Sequence, residues 1–374
     1  MKSPLQNFEV REQCLPEPFL FPAKNGYVLV VRAEEIKRVV VRGTNWVGDA
    51  AMSVPALREL RRVLPEAQIT LCTRSSTSGL FADADFLDNI LIYDKKALSD
   101  FTNQAKQWRQ RKFDLAVLFQ NAFEAALLAK LGRARNRVGY KTDGRGFLLS
   151  SSIKTPDWKN DRHEVFYYLN IVAELEKLLY GKTQVWDSEP DIRLSVSEAR
   201  KTEARKILAA NGADLSKKII TLCPGSTNSR AKRWEPESYA RLADLLNNNL
   251  DANVVLIGAP DELEVSDEVL QKSGSKPILL TGKTSLSEAV AVLSLADLLV
   301  TNDTGPAHIA PALGIKTIVI FGPTIPATTR PFSDLAEIVR KPPECAPCML
   351  RDCPIDHRCM TAIKPQEVFR RIKV

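Results

Sequence analysis

At 374 residues the chain is about two and a half times the length of a typical domain, so two domains, each with its own core, are expected. With 44% hydrophobic and 26% charged residues and no excess of Gly or Pro, the composition excludes the fibrous and disordered classes. Subtracting 45 acidic from 52 basic side chains leaves +7, which points to an anionic partner: nucleic acid, a phosphorylated metabolite or a membrane surface.

The first 37 residues show no sustained period and carry Pro4, Pro16, Pro18 and Pro22; they read as an extension. Their start, MKSPLQNFEVREQC, lacks the apolar core of a signal peptide, and no run in the chain is apolar for the length of a membrane span, so a cytoplasmic location is expected. From Arg38 onward short β-branched runs alternate with longer segments of helical period, the pattern of β-α units in a parallel sheet. The first half predicts strands at RVVV (38), QITLC (68), ILIY (90), DLAVLF (114) and RVGY (137), with helices over 50–63, 100–111, 124–131 and 163–179. Around 181–197 the pattern lapses into GKTQVWDSEPDIRLSVS, which places a domain boundary near residue 190. After a helix over 198–211 the alternation resumes with KKIITLC (217), NVVLIG (253), ILL (278), DLLVTN (297), KTIVIF (316) and EIVR (337). Pro236 at a first-turn position and the S-x-x-E box of Ser285 and Glu288 mark helix starts in this half. Two successive α/β units of similar size imply two doubly wound domains, 38–190 and 191–374, facing each other across a cleft. Ligands of such sheets bind beyond the carboxyl ends of the strands.

Four strand-to-helix turns there could carry chemistry. In VVVRGTNWVGDAAM the Asp49 carboxylate stands at a helix entrance, where it is either an N-cap or a general base. In LCPGSTNSRAKRW, Ser226 and Thr227 form a small hydroxyl-bearing loop followed by Arg230, Lys232 and Arg233, either a solvated basic loop or a polyanion contact. In VVLIGAPDELEV, Glu262 is either a first-turn helix charge or a ligand for sugar hydroxyls. In LLVTNDTGPAHIAPALG a buried strand ends at Asp303, Thr304 and Gly305; the free N–H groups of the next helix make an anion site, and His308 in its first turn is either structural or a phosphate or sugar contact. The chain lacks both G-x-G-x-x-G and G-x-x-x-x-G-K-[ST], the loops of dinucleotide-binding oxidoreductases and P-loop NTPases, and Asp83-Ala84-Asp85 reads as surface acid.

Of seven cysteines, Cys345, Cys348, Cys353 and Cys359 fall within fifteen residues, spaced C-x2-C-x4-C-x5-C with His357 inside. In a reducing compartment such spacing suits either a structural zinc ion or free, redox-active thiols. A zinc ion there would be structural, since the cluster is tied to the chain end and not to a catalytic turn.

The ordered motifs NWVGDAAMSVPAL, RVGYKTDGRGFLL, HEVFYYLNIVAEL, PGSTNSRAKRWEPESYARLADLL, NDTGPAHIAPALG, IVIFGPT and CPIDHRCM, spanning roughly 38–360, resemble the ADP-heptose:lipopolysaccharide heptosyltransferases, with the heptosyltransferase II branch nearest. The resemblance implies a GT-B fold of two Rossmann-like domains. It also implies metal-independent, inverting transfer of heptose from ADP-heptose to the inner core of lipopolysaccharide, with no cofactor. By motif it places the catalytic aspartate at Asp49 and the lysine at Lys232, and the donor contacts at Ser226, Thr227, Glu262, Asp303, Thr304, Gly305 and His308. An anionic inner core would suit the basic stretch Arg133, Arg135, Arg137, Lys141 and Arg145, otherwise read as solvated loop charge. The expected enzyme is a monomer acting at the cytoplasmic membrane surface. A family relative using another nucleotide sugar or acceptor is the competing reading. A nucleic-acid-binding protein is the remote one, lacking aromatic interleaving or any recognised module.

Overall fold

The computed structural model describes residues 32–372, so 1–31 of the N-terminal extension, Cys14 included, lie outside the described residues. Strands β1 (Arg38–Arg42), β2 (Gln68–Thr73), β3 (Asn89–Ile92), β4 (Leu115–Leu118), β5 (Asn136–Tyr140) and β6 (Ser151–Ile153) pair in one parallel sheet, in the order β3-β2-β1-β4-β5-β6. A second parallel sheet joins β7 (Lys218–Cys223), β8 (Ala252–Leu256), β9 (Ile278–Leu279), β10 (Leu298–Asn302), β11 (Lys316–Phe321) and β12 (Ala336–Arg340), in the order β12-β11-β10-β7-β8-β9. In its own chain order each sheet therefore runs 3-2-1-4-5-6, the doubly wound arrangement. Strands covered by helices on both faces read as unbroken apolar runs; Val39, Val40 and Val41 of β1 and Leu299 and Val300 of β10 are fully buried.

Two local features depart from the sequence expectation. The predicted helix over 50–63 is two helices, Val47–Met52 and Val54–Val63. Pro55 supplies no amide N–H to continue the first, and the Ser53 hydroxyl instead donates to the Ala50 carbonyl at 2.8 Å. Strand β6 was not foreseen, because its short Ser-Ser-Ile run carries no apolar period.

The segment 181–197, with neither helix nor strand, leads from one sheet to the other. Direct contacts also join the halves. Helix Val47–Met52 packs on helix Gly305–Ala312, where a Cβ added at Gly305 would come within 2.8 Å of the Val47 side chain. Asp83, half-buried, accepts from Arg200 at 2.5 Å and from the Ser197 N–H at 2.9 Å, so it fastens the domain junction and is not a bare surface acid. The order of strands reverses between β1 and β4 and between β7 and β10. The crevices at the carboxyl ends of those pairs are the places each sheet leaves open to a ligand. Among the described residues no helix is long and apolar enough to cross a membrane.

Candidate active site

The turn after β1 is fixed from below. Arg42 is buried, and its guanidinium donates to the Gly43 carbonyl at 2.7 Å, the Cys72 carbonyl at 3.3 Å and Asn45 Oδ1 at 3.1 Å. Trp46 is the residue before the helix, so Asp49 is the third helical residue and not the cap. Its carboxylate faces helix Glu164–Tyr180, where the Tyr168 hydroxyl donates to Oδ1 at 3.4 Å. Glu164, one turn before Tyr168 on the same face, is ion-paired with Lys159. Burial, followed by the Glu164 charge, pushes Asp49 up to about 6, against the opposing pull of Tyr168, Lys159 and Lys232. A carboxylate held there is ionised at neutral pH yet a far better proton acceptor than a free one.

The opposite wall comes from the second sheet. The 3-10 turn Arg230–Lys232 presents Lys232, whose Nζ lies 2.9 Å from Asp303 Oδ2 and 3.2 Å from the Asp303 carbonyl. Asp303 is buried and also accepts from the Thr324 hydroxyl at 2.7 Å. Thr304 precedes helix Gly305–Ala312, whose positive end meets the first turn of helix Val47–Met52. His308 is buried with its ring against Gly48, where an added Cβ would sit 3.3 Å from Cδ2; burial brings its pKa down to about 4, so the ring is neutral at physiological pH. Below the loop after β7 the buried Glu262 accepts from the Ala259 N–H at 2.9 Å and from the Thr227 hydroxyl at 3.4 Å, and burial raises its pKa. Gly225 is what lets that carboxylate in: a Cβ there would lie 2.2 Å from the Glu262 carboxyl carbon. Ser226 is buried, its carbonyl accepting from Arg233 at 3.1 Å.

The two walls bring Asp49 and Lys232 together across the cleft with Asp303, Thr304, Gly305 and His308, while Glu262 and Thr227 lie together one loop away. The sequence profile of glycosyltransferase family 9 (heptosyltransferase) matches residues 102–358. The chain belongs to that family. Lipooligosaccharide heptosyltransferase 2 of Campylobacter jejuni is 28% identical over 90% of this chain and 97% of its own. Lipopolysaccharide heptosyltransferase 2 of Salmonella typhimurium is 28% identical over 81% of this chain and 88% of its own. Among solved structures, E. coli ADP-heptose lps heptosyltransferase II superposes with a TM-score of 0.76 at 25% identity, covering 89% of this chain and 96% of that one. The fold of this family 9 glycosyltransferase is GT-B, two Rossmann-like domains about a cleft.

Residues missed in the sequence complete the site. Asn302, fully buried at the end of β10, donates to the carbonyls of Pro224 (2.8 Å) and Gly225 (3.1 Å) and accepts from the Trp234 N–H (3.0 Å) and the Tyr239 hydroxyl (3.1 Å). It thereby locks the β7 loop to the β10 loop. Glu164 and Tyr168 lie four apart in the HEVFYYLNIVAEL motif, to whose residues the sequence reading gave no role.

The five basic residues of 133–145 do not form one surface. Arg133 and Arg135 precede β5, at the end of the sheet away from the cleft; Arg135 pairs with Asp114 at 3.8 Å. Arg137 donates to the carbonyls of Leu148 (2.7 Å) and Ala134 (2.7 Å). Arg145 is fully buried and donates to the carbonyls of Tyr140 (2.8 Å) and Ala122 (3.2 Å), to the Gln120 carbonyl and to Asn121 Oδ1 (3.1 Å), so it shapes the loop after β4 from within. Lys141 alone of the five is exposed at the cleft end.

Cys345, Cys348, Cys353 and Cys359 line one small cavity together with His357, and only Cys359 is buried. Among the described residues no group of three or more Cys, His, Asp or Glu side chains is arranged to hold a metal ion. The expectation that this segment stands apart from the catalytic turns is corrected. The Arg351 carbonyl accepts from the Ala231 N–H at 2.9 Å, His357 Nε2 lies 2.7 Å from the Ala231 carbonyl, and Arg230 pairs with Asp352 at 2.6 Å. The cysteine-rich segment straps the very turn that presents Lys232, because the chain returns past β7 after β12.

Proposed function

We propose that the protein transfers heptose from ADP-heptose to the inner core of lipopolysaccharide with inversion, by the geometry of Asp49 facing Lys232 across the cleft. Asp49 takes the proton from an acceptor hydroxyl as that oxygen bonds to the anomeric carbon. The bond from that carbon to the diphosphate breaks on the opposite face, and ADP carries away the electron pair. Lys232, relinquishing Asp303, and the backbone N–H groups at Thr304 and Gly305 meet the charge growing on the diphosphate. They do the charge work that a divalent metal does in other transferases. Ser226, Thr227 and Glu262 hold the donor, and His308, neutral and beside Gly48, contacts phosphate or sugar from the floor of the cleft. The single observation that carries this reading is the approach of a carboxylate with a raised pKa on one domain to a lysine and a helix N-terminus on the other.

The protein is read as a monomer meeting its glycolipid at the inner face of the cytoplasmic membrane. The cysteine segment enters as a brace for the donor loop; zinc analysis of the reduced protein decides whether the thiols also gather a metal. The functional test is transfer from ADP-heptose and other nucleotide sugars to truncated lipopolysaccharide acceptors. Asp49→Ala is expected to abolish transfer while ADP-heptose binds almost as before. Ordinary turnover by that variant removes Asp49 from the mechanism, and preference for another nucleotide sugar replaces the donor.

A further inference from the structure

Cys345, Cys348, Cys353 and Cys359 form a cluster of nucleophilic side chains that the proposed reaction does not use. Together with His357 and Arg358 they line a void of about 20 Å³, room for roughly one water molecule. Thiols that face one another across so narrow a space need only rotamer changes to meet. The four are not equivalent: Cys345 and Cys353 are exposed, Cys348 is half-buried and Cys359 is buried. Burial, followed by the other three thiols, pushes the Cys359 thiol up and withdraws it from thiolate chemistry. Both exposed thiols lie within electrostatic reach of the Arg358 guanidinium, which sets them on the same side of the void. The chain between these two thiols makes the contacts of the strap. Met349 donates its N–H to the Pro323 carbonyl at 3.0 Å, and the Leu350 and Arg351 carbonyls accept from the Ser229 hydroxyl at 3.3 and 3.2 Å. The Arg351 carbonyl also accepts from the Ala231 N–H, and Asp352 pairs with Arg230. Lys232 is the next residue after Ala231, and Thr324, next to Pro323, donates to Asp303 at 2.7 Å. Loop 345–353 thus bears on both members of the Lys232–Asp303 pair, and its two ends are exposed thiols on a shared void.

We propose that Cys345 and Cys353 are a reversible dithiol–disulfide pair whose oxidation closes loop 345–353 and fixes the turn that presents Lys232. The inference rests on the donor-binding role given to Lys232 above, whose regulation it supplies. The oxidant is a low-molecular-weight disulfide. One exposed thiol, as its thiolate, attacks the small disulfide, forms a mixed disulfide and expels one small thiolate. The second protein thiolate then attacks the protein sulfur of the mixed disulfide, forms the Cys345–Cys353 bond and expels the other small thiolate. The protein thus gives up two protons and two electrons, and the small disulfide leaves as two thiols. A bridge from Cys345 to Cys348 would enclose none of Met349–Asp352, whereas the bridge from Cys345 to Cys353 encloses them all. Closing that loop removes conformations of the strap that donor binding would otherwise have to freeze. The Lys232 turn is then preorganised, and the donor binds more tightly to the oxidised protein.

The test equilibrates the full chain in glutathione buffers from fully reduced to fully oxidised, alkylates the remaining thiols and maps the bridges by mass spectrometry. Trypsin cuts after Arg351 and Arg358, which leaves Cys345 and Cys348 on one peptide, Cys353 on a second and Cys359 on a third; fragmentation of the first separates Cys345 from Cys348. A single two-electron transition should link Cys345 to Cys353, and dithiothreitol should reverse it. In the oxidised protein, amide exchange over 229–233 should slow by about threefold or more, and the Kd for ADP-heptose should fall by a similar factor. In Cys345→Ser and Cys353→Ser, both exposed positions, exchange and Kd should stay at the reduced level in every buffer. No bridge in any buffer, a bridge to Cys348 or Cys359 instead, or a bridge that leaves exchange over 229–233 unchanged overturns the proposal. So does a metal ion held by the reduced thiols that blocks their oxidation. If the bridge forms and exchange slows but neither form binds ADP-heptose, the proposed function fails while the redox pair stands.

Discussion

Replacing Asp49 by Asn separates the stability of the fold from the chemistry of the cleft. Asp49 is displaced from 3.8 to about 6, chiefly by burial and then by Glu164. Its folded-state pKa lies above the unfolded one, so the folded chain holds this proton more tightly. The stabilisation is complete below about pH 4 and is lost as pH rises through about 6. At about 1.4 kcal/mol per pKa unit the ionised carboxylate costs up to roughly 3 kcal/mol, and solvent reaching a half-buried group brings the expected range to about 1–3 kcal/mol. Asparagine keeps the shape without the charge. Urea unfolding followed by tryptophan fluorescence should show Asp49→Asn more stable than wild type by that amount at pH 8, with the gain shrinking toward zero near pH 4. Activity behaves oppositely: wild-type kcat/KM should rise through about pH 6 and level off, whereas Asp49→Asn is inactive throughout. The acid limb should move down in Glu164→Gln, which removes a like charge, and up in Tyr168→Phe, which removes a donor to the carboxylate. A stability difference independent of pH, or an acid limb unmoved by both substitutions, refutes the argument that burial and Glu164 set this group.

Lys232→Ala should lower kcat by about 10²–10³-fold, the cost of losing one donor to a developing negative charge, and Lys232→Arg should recover part of it. Gly225→Ala should weaken ADP-heptose binding in calorimetry and lower Tm, because its Cβ would occupy the position of the Glu262 carboxyl group. Arg145→Met should destabilise by about 2–4 kcal/mol in urea titration, since it strips partners from buried carbonyls of the β4 and β5 loops, while Arg133→Gln and Arg135→Gln should leave both stability and acceptor KM unchanged.

What the sequence made legible, and what it did not, follows from the range of the interactions involved. Runs such as KTIVIF and DLLVTN announced buried parallel strands because burial on both faces demands apolar side chains at every position. The turns after β1, β7 and β10 were legible for a similar local reason: small residues and polar side chains lie together within one motif, joined after β10 by Pro306 at the second helical position. The basic stretch 133–145 is dispersed because closeness along a strand is not closeness in space. Strand β5 separates Arg135 from Lys141 by five residues of extended chain, about 16 Å, and puts them at opposite ends of the sheet. Asn302 lay beside the recognised Asp303, but its role is set by carbonyls 77 and 78 residues away, which no local pattern encodes. The cysteine segment misled for the same reason, its partners on Ser229, Arg230 and Ala231 lying more than 120 residues back.

In the roles proposed for them, Asp49 and Lys232 on different domains would couple donor binding to the readiness of the base. Lys232 is ion-paired with Asp303 and at the same time lowers the proton affinity of Asp49. A diphosphate drawn to Lys232 and to the N-terminus of helix Gly305–Ala312 brings negative charge into this field and cancels the lysine's pull. The pKa of Asp49 must then rise further, and binding of ADP near pH 6 should draw a proton onto the protein. Titration calorimetry in buffers of differing ionisation enthalpy measures that uptake. Protons exchanged by ADP itself, and by His308, whose folded pKa is near 4, are common to wild type and Asp49→Asn. The difference between the two proteins therefore isolates Asp49, and it should be positive at pH 6 and vanish above about pH 8. A zero difference at pH 6 would mean that the diphosphate does not reach the field of the base. In that case Lys232 could not serve the leaving group while Asp49 serves the acceptor, and the two walls of the cleft would not act on one reaction.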